Sequence, residues 1–188
     1  ATYTRMGFPM CCGSMDCTHV RLGKCPVELS EMCKGKEGYP SLVFQCVVGP
    51  NRRIFYTSDY FFGSNNDKTV TANDDLPKKI HRGLLKNVRG IIYDSENVPR
   101  VCKGGYFLVD GGYNKYPYLI DPLQTTCRYD ERVWSEWLES VRKDVECTFG
   151  MLKNRFRYFL NPIQHHKFDT IDAAWKCSCI LHNMILSY

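Results

Sequence analysis

Apolar and polar side chains alternate from Met10 to Val20, with Met15, Cys17 and His19 on one phase and Asp16, Thr18 and Val20 on the other. That period of two predicts a strand whose second face carries an acid. Ser41 to Val48 (SLVFQCVV) is mostly apolar and predicts a buried strand, and Gly49-Pro50-Asn51 is a turn into a third strand from Arg53 to Tyr60. Phe62 to Asp67 breaks the pattern, and Lys68 to Leu85 mixes residue types as an interrupted helix would. Tyr106 to Val109 is a short apolar run that ends at Asp110-Gly111-Gly112, which puts an acid at the carboxyl edge of a buried strand. Ile91-Ile92-Tyr93 is a further strand-like run and leads into Asp94.

The longest periodic signal runs from Glu131 to Arg157. Trp134, Leu138, Val141, Val145, Phe149, Leu152 and Phe156 recur at steps of three and four, so they predict one apolar stripe on a long helix. At about 100° per residue, Glu146 falls just off the edge of that stripe, and Glu139, Arg142, Gly150, Lys153 and Arg157 share its face. Ile171 to Leu186 reads as a closing helix.

At 188 residues and 44% apolar content, residues 1–188 are expected to form one domain with a real core. No run approaches the roughly 18 to 20 apolar residues of a membrane helix, and ATYTRMGFPM lacks the order of a secretory signal. The expectation is a soluble, intracellular protein without membrane contact. The first residue is not Met, which suggests that an N-terminal part of a longer protein is missing. Eleven cysteines occur without any CxxC, Cys11-Cys12 and Cys177-Ser-Cys179 being the close pairs. They are read as reduced, mostly buried small apolar residues, which fits cytosol or nucleus. The net charge of +5 is modest, but Lys78, Lys79, Arg82, Lys86 and Arg89 cluster, as do Lys153, Arg155, Arg157 and Lys167. Taken alone, such clusters are solvated helix faces.

An acid on the first strand, a second at the tip of a later strand and a third on a long helix across the sheet make an RNase H-like arrangement: an α/β fold with a mixed central sheet flanked by helices. Asp16, Asp110 and Glu146 are the candidate acids. Phosphodiester chemistry suits such a set, because two divalent cations about 3.5 to 4 Å apart stabilise both attacking and leaving oxygens. Mg²⁺ or Mn²⁺ prefers these oxygen ligands. Unneutralised, the acids repel, so metal should stabilise the fold. Spacing alone is weak evidence in a chain with twenty acids.

Context strengthens it. Gly13-Ser14-Met15-Asp16-Cys17-Thr18-His19-Val20 resembles the first-aspartate motif of Harbinger-type DDE transposases. Gly63-Ser64-Asn65-Asn66-Asp67 resembles their Gly-Ser-x-x-Asp loop, and Leu108-Val109-Asp110-Gly111-Gly112-Tyr113 their second-aspartate motif. Arg142-Lys143-Asp144-Val145-Glu146-Cys147-Thr148-Phe149-Gly150 resembles the helix with the third acid, and the likeness continues through Met151 to Arg157 and Leu181-His182-Asn183-Met184. The motifs occur in the family's order over nearly the whole chain, in wording closest to the branch of plant and protist transposons.

The resemblance implies a DNA endonuclease and strand-transfer domain. Asp16, Asp110 and Glu146 would be its catalytic and metal-binding residues, Asp67 a further metal ligand, and two Mg²⁺ or Mn²⁺ ions its cofactor. It also implies DNA (transposon ends and target) and a Myb-like DNA-binding accessory protein as partners, a homodimer, and work in the nucleus with a cytoplasmic pool. Arg142, Lys153, Arg155 and Arg157 would contact DNA phosphates. The alternatives are a domesticated relative that binds DNA or chromatin without cutting, and a host nuclease without strand transfer. The chain departs from the pattern at Asn66, where many members have His, and between Lys86 and Lys103, which makes Asp94 a rival to Asp110. The Gly-Gly-Tyr context favours Asp110.

Plainer readings stand beside these. Asp67 is also a helix N-cap or turn residue. His19 lies on the phase opposite Asp16 and reads as structural, His182 as a bonded core residue, and His165-His166 as surface loop. Trp134, Trp137 and Trp175 read as packing residues.

Overall fold

The computed structural model describes residues 2–187. A short helix α1 (Thr2–Arg5) precedes β1 (Cys11–Arg21). After a small helix α2 (Ser30–Cys33) comes β2 (Ser41–Val48), which is buried at every position, as its mostly apolar run predicts. The strand expected from Arg53 to Tyr60 is shorter, β3 (Ile54–Thr57), and a separate strand β4 (Phe61–Phe62) follows it; the two pair with opposite ends of β2. The interruption has a cause, since the Tyr60 amide donates to Asp172 of the closing helix at 3.0 Å and so leaves the sheet.

The interrupted helix resolves into α3 (Asp67–Asn73) and α4 (Leu76–His81), with Asp74 and Asp75 between them. β5 (Arg89–Tyr93) and β6 (Pro99–Lys103) form a separate two-stranded ribbon. The chain then enters the main sheet again as β7 (Tyr106–Leu108) and β8 (Leu119–Ile120), and ends in α5 (Tyr129–Arg155) and α6 (Phe168–Ile185).

The main sheet runs β3-β2-β1-β7-β8 with β4 beside β2. β1 and β3 are antiparallel to β2, β7 is parallel to β1, and β8 is parallel to β7. This is a mixed sheet flanked by helices, as the pattern predicts. Ser14 pairs with Leu108, so an equal step along two parallel strands brings Asp16 and Asp110 level.

Both faces of the sheet are covered. Val20, Phe44, Cys46 and Val48 pack with Val145, Phe149 and Leu152 of α5 and with Ile171, Trp175 and Cys179 of α6. Trp175 stacks on Phe44 at 4.9 Å, and its indole N–H donates to Thr57 Oγ1. On the other face Met15, Val47, Phe107 and Val109 pack with Leu76, Leu85 and Tyr113.

The stripe on α5 is shorter than its periodicity suggests. Leu138, Val141, Val145, Phe149 and Leu152 are buried, but Trp134 and Trp137 are partly exposed, at 37% and 47%. The helix overruns the main sheet at its N-terminal end, where Trp134 meets Phe8 and Trp137 donates its indole N–H to Met6 O at 2.7 Å. The cysteines are less buried than expected: Cys33, Cys46 and Cys179 are buried, while Cys127, Cys147 and Cys177 are exposed, and all eleven are free thiols. No helix among the described residues is long and apolar enough to cross a membrane.

Asp94 is not a rival to Asp110. It closes the turn of the β5–β6 ribbon, where it accepts from the Glu96 and Val98 amides and from Arg100, off the main sheet.

Candidate active site

Asp16 sits near the middle of β1 on the face crossed by α5. Its Oδ1 accepts from the Cys17 amide at 2.9 Å, and its Oδ2 accepts from Arg142 Nη1 at 2.9 Å. Burial pushes the Asp16 carboxyl up to about 6; Arg142 and the Cys17 amide oppose this, while the Asp110 and Asp67 carboxylates add to it. The rise is mainly the cost of holding a carboxylate at a poorly solvated point.

Asp110 follows β7 and turns at once, its Oδ1 accepting from the Gly112 amide at 2.8 Å. The turn is tied down on two sides. Tyr113 is buried and its hydroxyl donates to Cys17 Sγ at 3.5 Å, while Asn114 Nδ2 donates to Lys68 O at 3.1 Å. The second tie draws the start of α3 toward the turn. A methyl group at Gly112 would stand 3.0 Å from Asp110 Oδ1 and 3.6 Å from Asp67 Oδ2, so glycine is what lets the two carboxylates approach one small space.

Asn66 is the N-cap of α3, accepting from the Thr69 amide at 2.9 Å, and Asp67 is the first helical residue. The capping task expected of Asp67 thus falls to Asn66, and the Asp67 carboxylate is left to face Asp110 and Cys17. The Cys17 thiol is pushed well up, by burial first and then by Asp67.

Glu146 projects from α5 one turn beyond Arg142. Arg142 Nη2 donates to Glu146 Oε1 at 2.7 Å and reaches Glu139 Oε2 at 3.5 Å, while Nη1 holds Asp16. One buried guanidinium therefore links the first and third acids of the predicted triad, and its Nε has no hydrogen-bond partner. Arg142, expected as a phosphate contact, is buried and its guanidinium is taken up by these carboxylates. The i, i+4 spacing of Arg142 and Glu146 on one helix face was the signal for this pairing.

The structure does not bring the other predicted cations to the acids. Lys153 is half-buried and donates to His19 O at 2.7 Å, and burial lowers its amine. Arg155 meets His182 Nδ1 at 3.1 Å, and Arg157 is exposed. His19 bonds Ser41 Oγ at 3.0 Å, and His182 is buried. His165 and His166 are exposed. Sequence reasoning missed a buried polar group beside the site: Gln45 Nε2 donates to Asp74 Oδ2 at 2.7 Å, Tyr56 donates to Asp74 Oδ1 at 2.5 Å, and Thr71 donates to Gln45 Oε1 at 2.7 Å. It braces α3 against β2 and thereby fixes where Asp67 stands.

The donor set suits a hard cation in kind, since Asp16, Asp67, Asp110 and Glu146 offer only oxygen. Among the described residues, no three His, Cys, Asp or Glu side chains stand ready to hold an ion as they are. Arg142 supplies a reason, because its charge already occupies Asp16 and Glu146.

A mixed α/β domain with Asp16 on β1, Asp110 just after β7 and Glu146 on α5 has the layout of the transposase-related class. Residues 2–188 match the family described as plant transposon protein, and the chain belongs to that Harbinger-derived family. It is 26% identical over 186 residues to Protein ALP1-like of Arabidopsis thaliana, covering 96% of this chain and 44% of that protein. The chain thus spans less than half the length of that curated relative. No solved structure matches it.

Proposed function

We propose that this domain is a divalent-metal-dependent DNA endonuclease and strand-transfer unit on an RNase H-like frame. The approach of Asp67 and Asp110 at Gly112, with Glu146 joined to Asp16 through Arg142, is the observation that carries the reading. The strand order, with β2 antiparallel to its neighbours and β1, β7 and β8 parallel, supports the frame.

Asp16 and Asp110 would hold Mg²⁺ or Mn²⁺, two ions in all, with Asp67 beside them and Glu146 completing the set once released by Arg142. Bound metal supplies Lewis-acid activation of water and neutralises charge on the scissile phosphate. The chain's own part is positional. The Gly112 turn and the Asn114–Lys68 tie fix Asp110 and Asp67, and the sheet fixes Asp16. Arg142 is a positioning residue: it holds Glu146 and Asp16 in mutual reach before metal and DNA arrive. Water attack frees a 3′ hydroxyl, and that hydroxyl attacks target DNA.

The reading extends to a nuclear workplace, a Myb-like DNA-binding partner and a dimer that engages two transposon ends. A second reading, a domesticated descendant that binds DNA or chromatin without cutting, is favoured by one observation, the neutralisation of two of the acids by Arg142. Cleavage of a labelled duplex by wild type and Glu146→Gln, with Mg²⁺, Mn²⁺ or EDTA, separates them. Metal-dependent cutting that the variant loses is expected. Absence of cutting by the longest available protein together with its partner would leave the binding-only reading.

A further inference from the structure

The β5–β6 ribbon and its approach from α4 have no part in the site just described, yet residues 76–103 hold the chain's charge. Lys78, Lys79, Arg82, Lys86, Arg89, Arg100 and Lys103 stand against Asp94 and Glu96, a surplus of five that equals the net charge of the whole 188-residue chain. All seven cations are exposed. Lys78 pairs with Asp75, Arg100 with Asp94, and Lys79 lies over the Tyr56 ring at 4.8 Å. Arg82, Lys86, Arg89 and Lys103 enter no ion pair among the described residues.

The ribbon's register adds an independent observation. Arg89 is the direct cross-strand partner of Lys103, so two cations face each other at its root. Like charges directly opposite destabilise an antiparallel pair. Among the described residues no carboxylate pairs with either cation, and an anion would offset the repulsion. A lone two-stranded ribbon is also marginal in water, and this one is held only near its base, through Gly104 N to Val88 O at 2.9 Å and Gly105 N to Leu85 O at 3.1 Å. Ile91, Tyr93 and Val101 are left exposed.

We infer that the β5–β6 ribbon, with the exposed cations of α4 and its loop at its base, forms an arm that docks on the phosphate backbone of duplex DNA, away from the carboxylates. A second copy of the chain is a poor occupant, because it would bring the same surplus of positive charge. A two-stranded ribbon has the width that a major groove admits, and phosphates flanking the groove would meet Arg89 and Lys103 together. The root of the arm abuts the start of β1, where Gly90 packs on Met10. Asp16 is five residues further along that strand than Cys11, about 16 Å at a strand's rise per residue. That is roughly half a turn of B-DNA, and the arm's base, through Leu85, packs on the sheet face opposite α5.

This inference rests on DNA being the substrate, and the test separates the two. Binding of a labelled duplex in EDTA is measured against salt for the wild type, for Lys86→Gln/Arg89→Gln/Lys103→Gln and for Ile91→Ser/Val101→Ser. Losing three phosphate contacts should lower the salt slope by about 2.7 and weaken binding near 0.1 M salt on the order of a hundredfold. The substituted side chains are exposed, so folding should be retained, and circular dichroism checks it. A wild type that fails to bind duplex at low salt would sink the DNA reading and the arm with it. Equal affinity and slope in wild type and charge variant would sink the arm alone. Unchanged DNA binding in all variants, with sedimentation showing that the Ile91/Val101 variant loses self-association, would make the ribbon a protein interface.

Discussion

Replacing Arg142 by Met keeps a long apolar stem but removes the guanidinium shared by three acids, and the three legs are not equal. Glu146 and Glu139 are 49% and 39% exposed, so water screens both and each contact is worth under about 1 kcal/mol. The Asp16 carboxylate is 15% exposed and its leg is the buried one. Removing one partner of a buried pair costs roughly 3 to 5 kcal/mol, because the other charge is stranded. Asp16 limits that cost by taking a proton: its carboxyl is already pushed up to about 6 with Arg142 in place, and rises further without it. The lower end, about 3 kcal/mol, is therefore expected, which for a domain of this size is about 6 to 12 °C in Tm.

Thermal unfolding of wild type, Arg142→Met, Asp16→Asn and the double variant in EDTA measures it. The double variant should be less destabilised than the sum of the singles by about 1.5 kcal/mol or more, since neutral Asn no longer needs the cation. A second scan with Mn²⁺ tests the link to the proposed metal. With Arg142 gone, the acids should accept the ion more readily, and saturating Mn²⁺ should recover about 2 to 3 kcal/mol in Arg142→Met, more than in wild type. Additivity within about 0.5 kcal/mol, or a Tm within 2 °C or so of wild type, would refute the counter-ion argument. A Tm in the variant that ignores Mn²⁺ would refute the metal argument and leave the ion pair standing.

Two further outcomes follow from single contacts. Gly112→Ala places a methyl 3.0 Å from Asp110 Oδ1 and so must displace that carboxylate; Mn²⁺ affinity by calorimetry should fall about tenfold, while Tm changes by less than about 1 kcal/mol equivalent because the turn is exposed. His182 donates from Nε2 to Arg52 O at 3.0 Å and receives Arg155 at Nδ1, and burial, then Arg155, holds its imidazole below the ordinary 6.5. The unfolded chain therefore takes up the proton first, so the stability this residue contributes is present above about 6.5 and is lost as pH falls through its depressed value. The Tm of His182→Gln should depend less on pH than wild type between about pH 7 and 5, and parallel curves would overturn that.

What the sequence disclosed and what it hid divide along one physical line. Periods of two and 3.6 are local, and they located β1, β2, the buried part of α5, and the strand tip that carries Asp110. The same logic over-extended the stripe to Trp134, because periodicity reports that a face is apolar and not how far the partner sheet reaches. It carried β3 past Thr57 to Tyr60 because the Asp172 carboxylate that holds the Tyr60 amide comes from a helix over a hundred residues later. β8 is two residues long and has no pattern to read. Within the site, each acid could be named from its neighbours in sequence, but not its company. Whether Arg142 faces solvent or acids depends on Asp16, which reaches it only through tertiary packing. Asp67 gained its place through a turn after another strand, by way of Asn114. The arm was equally opaque: the basic cluster from Lys78 to Arg89 looks like any solvated face until the register sets Arg89 against Lys103. Charge is thus read with confidence from sequence only where its counter-charge is local. In this chain the decisive pairings, Arg142 with Asp16 and Arg89 with Lys103, are both non-local, one attractive and filled, the other repulsive and awaiting an anion.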